Sequence, residues 1–223
     1  MSDKLWAQIS AASGIVFVVL LVVGAFIAPV PPATDDSADD VVSYFRDNRT
    51  ALLVGSYLIG AGTVFFLWFL GTLRLALVNS GASRLPIAAV GAGIALVAVV
   101  LVGIGLGDAL AFRAASDRSP DLVQALFDAQ SLIFVQVSFP IGAFVLASSV
   151  VMIRWKVVSQ WLGYAGLIVA AANFVAAGAV AKSGVLSPTG ECGLVAFLSF
   201  AAWVLVASVL MTLQAGRAQP AAA

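Results

Sequence analysis

The sequence predicts an all-α fold: a polytopic membrane bundle of six transmembrane helices with short amphipathic helices outside it, formed by a single integral membrane domain over residues 1–223. Three observations lead there. Six apolar runs of about 20 residues lie at roughly 11–30, 51–73, 86–107, 132–153, 161–180 and 193–213, each long enough to cross about 30 Å of hydrocarbon at about 1.5 Å per helical residue. Hydrophobic residues make up 62% of the chain and charged residues only 10%, with mean hydropathy +1.08, too few charges for the outer faces of a water-soluble bundle of this size. The runs are uninterrupted rather than alternating, which excludes the strands of a membrane barrel, so the backbone must satisfy itself within helices.

The first run follows Lys4 and could be read as a cleavable signal sequence. Its length is nearer that of a span, and the following VPPAT lacks a small-x-small cleavage site, so an uncleaved helix is expected. In the external segment PPATDDSADDVVSYFRDNRT, Ser37 can cap a helix, with Asp39 and Asp40 in its positive first turn and Arg46 and Arg49 near its other end. Val41, Val42, Tyr44 and Phe45 give that helix an apolar side. The second run carries Gly55, Gly60, Gly62 and Gly71. The third ends in GIGLG and Asp108, where Gly103 and Gly107 form a GxxxG pair suited to close helix approach. GIGLG is not a dinucleotide loop, because no strand precedes it.

The second external segment repeats the entry signal: Ser119, Pro120 and Asp121 begin a helix carrying Leu122, Leu126 and Phe127, which can run directly into the fourth run. Within that run, Pro140 frees a carbonyl near Gln136 and predicts a kink. The fifth run holds Asn173 with Gly163 and Gly166. At an offset of 81 residues, Asp40 pairs with Asp121, Val42 with Val123, Asp47 with Asp128, Thr50 with Ser131 and Val54 with Val135. This is the pattern either of a duplicated unit in parallel orientation or of convergent amphipathic segments.

YFRDNRTALLVGSYLIGAGTVFFLWFLGTLR, with LFDAQSLIFVQVSFPIGAFVLASSVVMIRWKVVSQWLGYAGLIVAA, resembles small polytopic actinobacterial membrane proteins of a domain-of-unknown-function family. The marks are an Asp ahead of the span, a proline in the fourth span, and a basic loop followed by Trp-Leu-Gly. The resemblance implies a compact helical membrane fold and supplies no activity and no catalytic residues.

Charge predicts orientation. Six basic residues (Lys4, Arg74, Arg84, Arg154, Lys156, Arg217) and one acid flank the runs on one side. Five basic residues (Arg46, Arg49, Arg113, Arg118, Lys182) and ten acids lie on the other, giving +5 against −5. Both termini are therefore expected in the cytoplasm of a cell-membrane protein, with Trp6, Trp155 and Trp161 anchoring that interface. The short cytoplasmic segments cannot fold into a soluble domain, and their basic residues fit anionic headgroups rather than nucleic acid.

The chemistry available is narrow. There is no histidine and one cysteine, Cys192, so no intrachain disulfide, histidine-ligated haem or cysteine-based structural zinc site can form, and no cofactor is expected. DDSADD superficially resembles a magnesium-binding aspartate motif, but its first pair precedes the expected cap, and a solvated helix start accounts for it. Catalytic residues and metal ligands are accordingly none. The ligand or partner candidates are Asp108, Arg113, Asp128, Gln136 and Asn173: the first three near the outer boundary, where they are either solvated or line a vestibule, and the two amides within spans, where they bond another helix or a ligand. No ionisable residue lies near a midplane, which argues against an ion pump. The expectation is an accessory or partner-binding membrane subunit in contact with lipids and a protein partner or its own copy. A small-solute or lipid transporter is the alternative, and an enzyme acting on a lipid-linked substrate at the outer face is third. A polar cavity between superimposable halves would favour transport, and a closed apolar centre the accessory role.

Overall fold

Long apolar runs, and a side-chain cap for the short amphipathic one, account for the seven α-helices in the computed structural model, which describes residues 3–114 and 119–217. They are α1 (Asp3–Phe26), α2 (Ala38–Asp47), α3 (Arg49–Val78), α4 (Leu85–Ala109), α5 (Pro120–Trp155), α6 (Gln160–Ala176) and α7 (Glu191–Arg217), with a π-helical turn Leu110–Ala114 continuing α4. Five helical stretches are long and apolar enough to cross a membrane: Leu5–Phe26, α3, Leu85–Arg113, α5 and α7. The expected fifth span, 161–180, is shorter than the sequence suggests. α6 has 17 residues, about 25 Å of rise. It ends because Ala177, Gly178 and Ala179 turn their N–H groups back onto Asn173, Val175 and Ala176, and Gly184 then takes φ +83°.

α2 forms as its residues dictate. Ser37 and Asp40 make a reciprocal capping box, Asp39 and Asp40 sit in the first turn, and Val41, Val42 and Phe45 are buried. Asn48 breaks the chain from α3, its side-chain amide donating to Tyr44 O at 2.9 Å. The corresponding segment after Ser119 does not stand apart as a second surface helix. With extended Ser119 as cap and Pro120 opening the helix, it becomes the first turns of the 36-residue α5, which continues through Pro140. Val123 and Phe127 there join Val41, Val42, Phe45, Leu110 and Ala111 in a small outer core.

The chain passes end to end along the bundle. At one end the connections after α1 and α6 meet the start of α5, Thr34 Oγ1 donating to Lys182 O at 2.9 Å and Gln124 Nε2 to Asp36 O at 3.4 Å. At the other end lie both ends of the described chain and the two short connections. Trp6 there stacks near Trp68 with centroids 5.5 Å apart, and Gln214 Nε2 donates to Val158 O at 2.7 Å. We call these the cap end and the termini end.

Small residues set the helix crossings. α1 and α3 touch backbone to backbone at Gly24 and Gly55, where a Cβ on Gly55 would lie 2.5 Å from Gly24 O. α4 lies along α5 through Gly103, against Phe134 and Ile133, and through Gly107, which the Gln130 amide covers. α6 meets α5 where Gly163 and Gly166 face Met152 and Ser149, and Ser208 Oγ of α7 donates to Ala11 O of α1. The termini half is filled: Phe69, Leu73, Leu77, Phe144, Val151, Met152 and Val204 are fully enclosed. Around the outside, Val19, Val64, Ile94, Val102, Ile168 and Val195 are exposed, an apolar girdle that only lipid solvates without penalty.

Candidate functional site

The cap half is built differently. Here the helices line an open cavity of about 470 Å³ between α1, α3, α4, α5, α6 and α7, walled by such residues as Leu21, Val97, Val100, Val137 and Phe197. Its floor is formed by Phe17, Phe66 and Phe200, and Phe144 of α5 packs against them to complete a phenylalanine layer from four helices. Phe66 lies 4.9 Å from Phe17, 5.6 Å from Phe144 and 6.2 Å from Phe200, measured between ring centroids. Rings at these separations in tilted and edge-on pairs pack as in a solid core, and Phe66 and Phe144 have no exposed surface. The opening toward the cap exists because Thr63, Ser138, Ala176 and Gly193, all small, occupy the wall positions above that layer.

A second cavity of about 300 Å³ adjoins the first nearer the cap, the two sharing Ala25, Ala28, Ile59, Phe134, Pro188 and Thr189. Its walls are more polar. Asp108, Gln130, Ser56, Tyr44 and Ser131 line it beside Phe45 and Phe127. Tyr44 is fixed by donating its hydroxyl to Pro29 O at 2.9 Å, and burial pushes its pKa above the ordinary value of 10.0. Asp108 is half-buried in the last turn of α4 and has no hydrogen-bond or ion-pair partner among the described residues.

The connection 177–190 roofs both cavities. Ala177, Ala179 and Ser187 are buried, and the turn is held by Ala181 N to Leu186 O at 2.9 Å and Cys192 N to Val185 O at 3.3 Å. Gly190 packs so closely under it that a Cβ would meet Gly184 O at 2.6 Å. Pro188 and Thr189 thereby project over both spaces.

The residues singled out from sequence separate in space. Asn173 lines the larger cavity, 1% exposed, and also ties α6 to α7: its Nδ2 donates to Val169 O at 2.9 Å and to Ala196 O at 3.5 Å, while Oδ1 has no partner. Asp108 and Gly107 line the smaller one. Asp128, half-buried on α5, lines neither, and Arg113 is exposed on the π turn, outside both linings. Gln136 is on the exposed face of α5, one residue from cavity-lining Val135 and Val137 but turned away from them. Pro140 is half-buried within an unbroken α5. Arg118, also counted in the outer charge, lies outside the described residues. Asp35, Asp36, Asp39 and Asp40 serve as turn and cap: Asp36 Oδ2 accepts from Ala33 N at 2.8 Å, and Asp40 completes the box with Ser37. Among the described residues no group of three or more His, Cys, Asp or Glu side chains could hold a metal ion.

Sequence reasoning missed the phenylalanine floor and the small wall residues above it. Their only trace is that Thr63 and Ser138, small and polar, each precede a bulky buried residue by one turn or less, Phe66 and Ile141. No family model, curated protein or solved structure matches the chain. The fold and the cavity define its class by themselves: a helical membrane protein with two adjoining cavities, the larger apolar and the smaller bearing, among the described residues, the Asp108 carboxylate.

Proposed function

We propose that the protein is an accessory subunit of the cell membrane that holds one lipid-like molecule in the cap half of its bundle. One observation supports the reading above the rest: an apolar cavity of about 470 Å³, within the range of roughly 300–1,000 Å³ typical of small-molecule sites, placed in helices whose surroundings are lipid. An open apolar cavity of that size leaves its walls short of dispersion contacts, so occupation by a hydrocarbon chain stabilises the fold, while water gains few polar partners there. In this reading α6 completes six spans and both termini lie in the cytoplasm. The acidic cap end then faces outward and Trp6, Trp155 and Trp161 mark the inner interface.

A lipid transporter would use the same cavity but would have to open it across the layer of Phe17, Phe66, Phe144 and Phe200. The packing of that layer favours retention over passage.

Native mass spectrometry of protein extracted in mild detergent tests the reading, comparing wild type with Ser138→Phe and Val100→Phe, which place a ring in the cavity. The wild type carries one lipid mass, both variants lose it, and lipid-stripped variants melt no lower than stripped wild type because the ring fills space already empty. Lipid retention unchanged in both variants would contradict the proposal.

A further inference from the structure

The chemistry of the lipid's head can be read from the charge of the walls. Among the described residues lining the two cavities, Asp108 alone carries a charge. It stands in the last α-helical turn of α4, before the π turn that continues the helix. Among the described residues no guanidinium or ammonium group lines either cavity to offset it. Around it the Gln130 amide and the Ser56 and Ser131 hydroxyls supply uncharged hydrogen-bonding groups. Ser56 Oγ is already committed as a donor to Leu53 O at 3.0 Å, so its lone pairs face outward as acceptors.

Resting on the lipid-binding reading, we infer that the occupant is an amphiphile whose head donates hydrogen bonds and bears no negative charge, a hydroxylated or an ammonium head, and that Asp108 selects against phosphate and carboxylate heads. The tail lies in the larger cavity over the phenylalanine floor, and the head reaches the smaller one between α4 and α5. A carboxylate accepts hydrogen bonds and offers none. A hydroxyl or ammonium group therefore satisfies Asp108, whereas a phosphate ester brings like charges together in a space partly shielded from water. The Asp108 carboxylate, without a partner among the described residues, acquires one from the ligand. Asp128 has no such part, because it lies outside both linings.

The test uses full-length protein, stripped of lipid in detergent and offered three probes of equal chain length: a monoacylglycerol, a long-chain primary amine and a lysophosphatidic acid. Binding is read by native mass spectrometry and by the shift in melting temperature. Wild type binds the glycerol- and amine-headed probes at least about ten-fold more tightly than the phosphate-headed one, since juxtaposed like charges cost more than that factor. Asp108→Asn weakens the amine probe about ten-fold and brings the phosphate probe to within a few-fold of the glycerol probe, because the amide is neutral and can donate. Asp128→Asn leaves the order as in wild type, and Ser138→Phe loses all three together. Equal binding of the three probes to wild type, or an order that Asp108→Asn does not change, leaves the cavity a lipid site and overturns the selection. Binding of none removes the site and the selection together.

Discussion

The two halves of the bundle are made from the same apolar alphabet and packed to opposite ends. Toward the termini, Phe69, Leu73, Leu77, Phe144 and Met152 interdigitate until nothing is exposed. Toward the cap, the same six helices keep a void of about 470 Å³. The difference arises from residue size at matched depth. On α3, Thr63 stands above Phe66 and Phe69; on α5, Ser138 stands above Phe144; on α7, Gly193 stands above Phe200 and Trp203. At these three positions a small residue faces the cavity where a turn or two further on a bulky one fills the layer below. In lipid, where hydrophobicity does not drive helices together, close packing sets stability, so the filled half stabilises the fold and the open half is free to bind.

That contrast is broken most directly by truncating each half in turn. Phe144→Ala removes a fully enclosed ring from the filled half and should cost about 3–5 kcal/mol, as such truncations do in packed cores. Val100→Ala only widens a space that exists already, and should cost about 1 kcal/mol or less in lipid-free protein. Melting in detergent compares the two, and equal losses would erase the distinction between the halves.

Glycine substitutions come next. Gly103→Leu must displace Phe134 and Ile133, whose atoms lie 3.1 and 3.3 Å from a built Cβ, whereas nothing lies within 4 Å of Gly105. Overpacking of this kind costs about 1–3 kcal/mol, so Gly103→Leu should lower the melting temperature and Gly105→Leu leave it unchanged. A common response in both would mean that α4 does not meet α5 through this face.

The sidedness of the comparison is open to labelling. In a Cys192→Ser background, Ser43→Cys on α2 should react with an impermeant thiol reagent in intact cells, and Ser159→Cys in the α5–α6 connection only after the membrane is opened. The reverse pattern would turn the cap end toward the cytoplasm.

The smallest effect is on pH. Well below 10.0 the Tyr44 phenol is neutral in both the folded and the unfolded chain. Above that value the unfolded chain ionises first while burial keeps Tyr44 protonated, so the folded state binds the proton more tightly and loses stability as pH rises. Tyr44→Phe should flatten that alkaline decline at the price of its bond to Pro29 O.

How much of this is visible in sequence follows from what each feature depends on. Long apolar runs and the Ser37 cap are local, and the helices they predict are present at nearly the predicted positions. Helix ends were harder, because amphipathic continuations such as Pro120–Ser131 are helical in water or lipid alike, and they join α5 although hydropathy starts the span at 132. α6 fell short of 180 because the turn at Ala177–Ala179 is held by backbone bonds that no apolar count registers. Of the candidate residues, Asp108 and Asn173 line cavities whereas Arg113, Asp128 and Gln136 do not. Which face of a helix meets its neighbours depends on crossings such as Gly24 with Gly55, between helices distant in sequence. The phenylalanine layer is invisible for the same reason: its four rings come from four helices and become a floor only once these are assembled.

Photo-crosslinking with a lipid that carries a diazirine at mid-chain, followed by peptide mapping, tests the central claim most directly. The account predicts adducts on Val97 and Val100 of α4, Ile141 of α5 and Phe197 of α7, all on the cavity wall, and their loss in Ser138→Phe while adducts on the outer girdle persist. Adducts confined to girdle residues such as Val64, Ile94 and Ile168, with none on the wall, would contradict it.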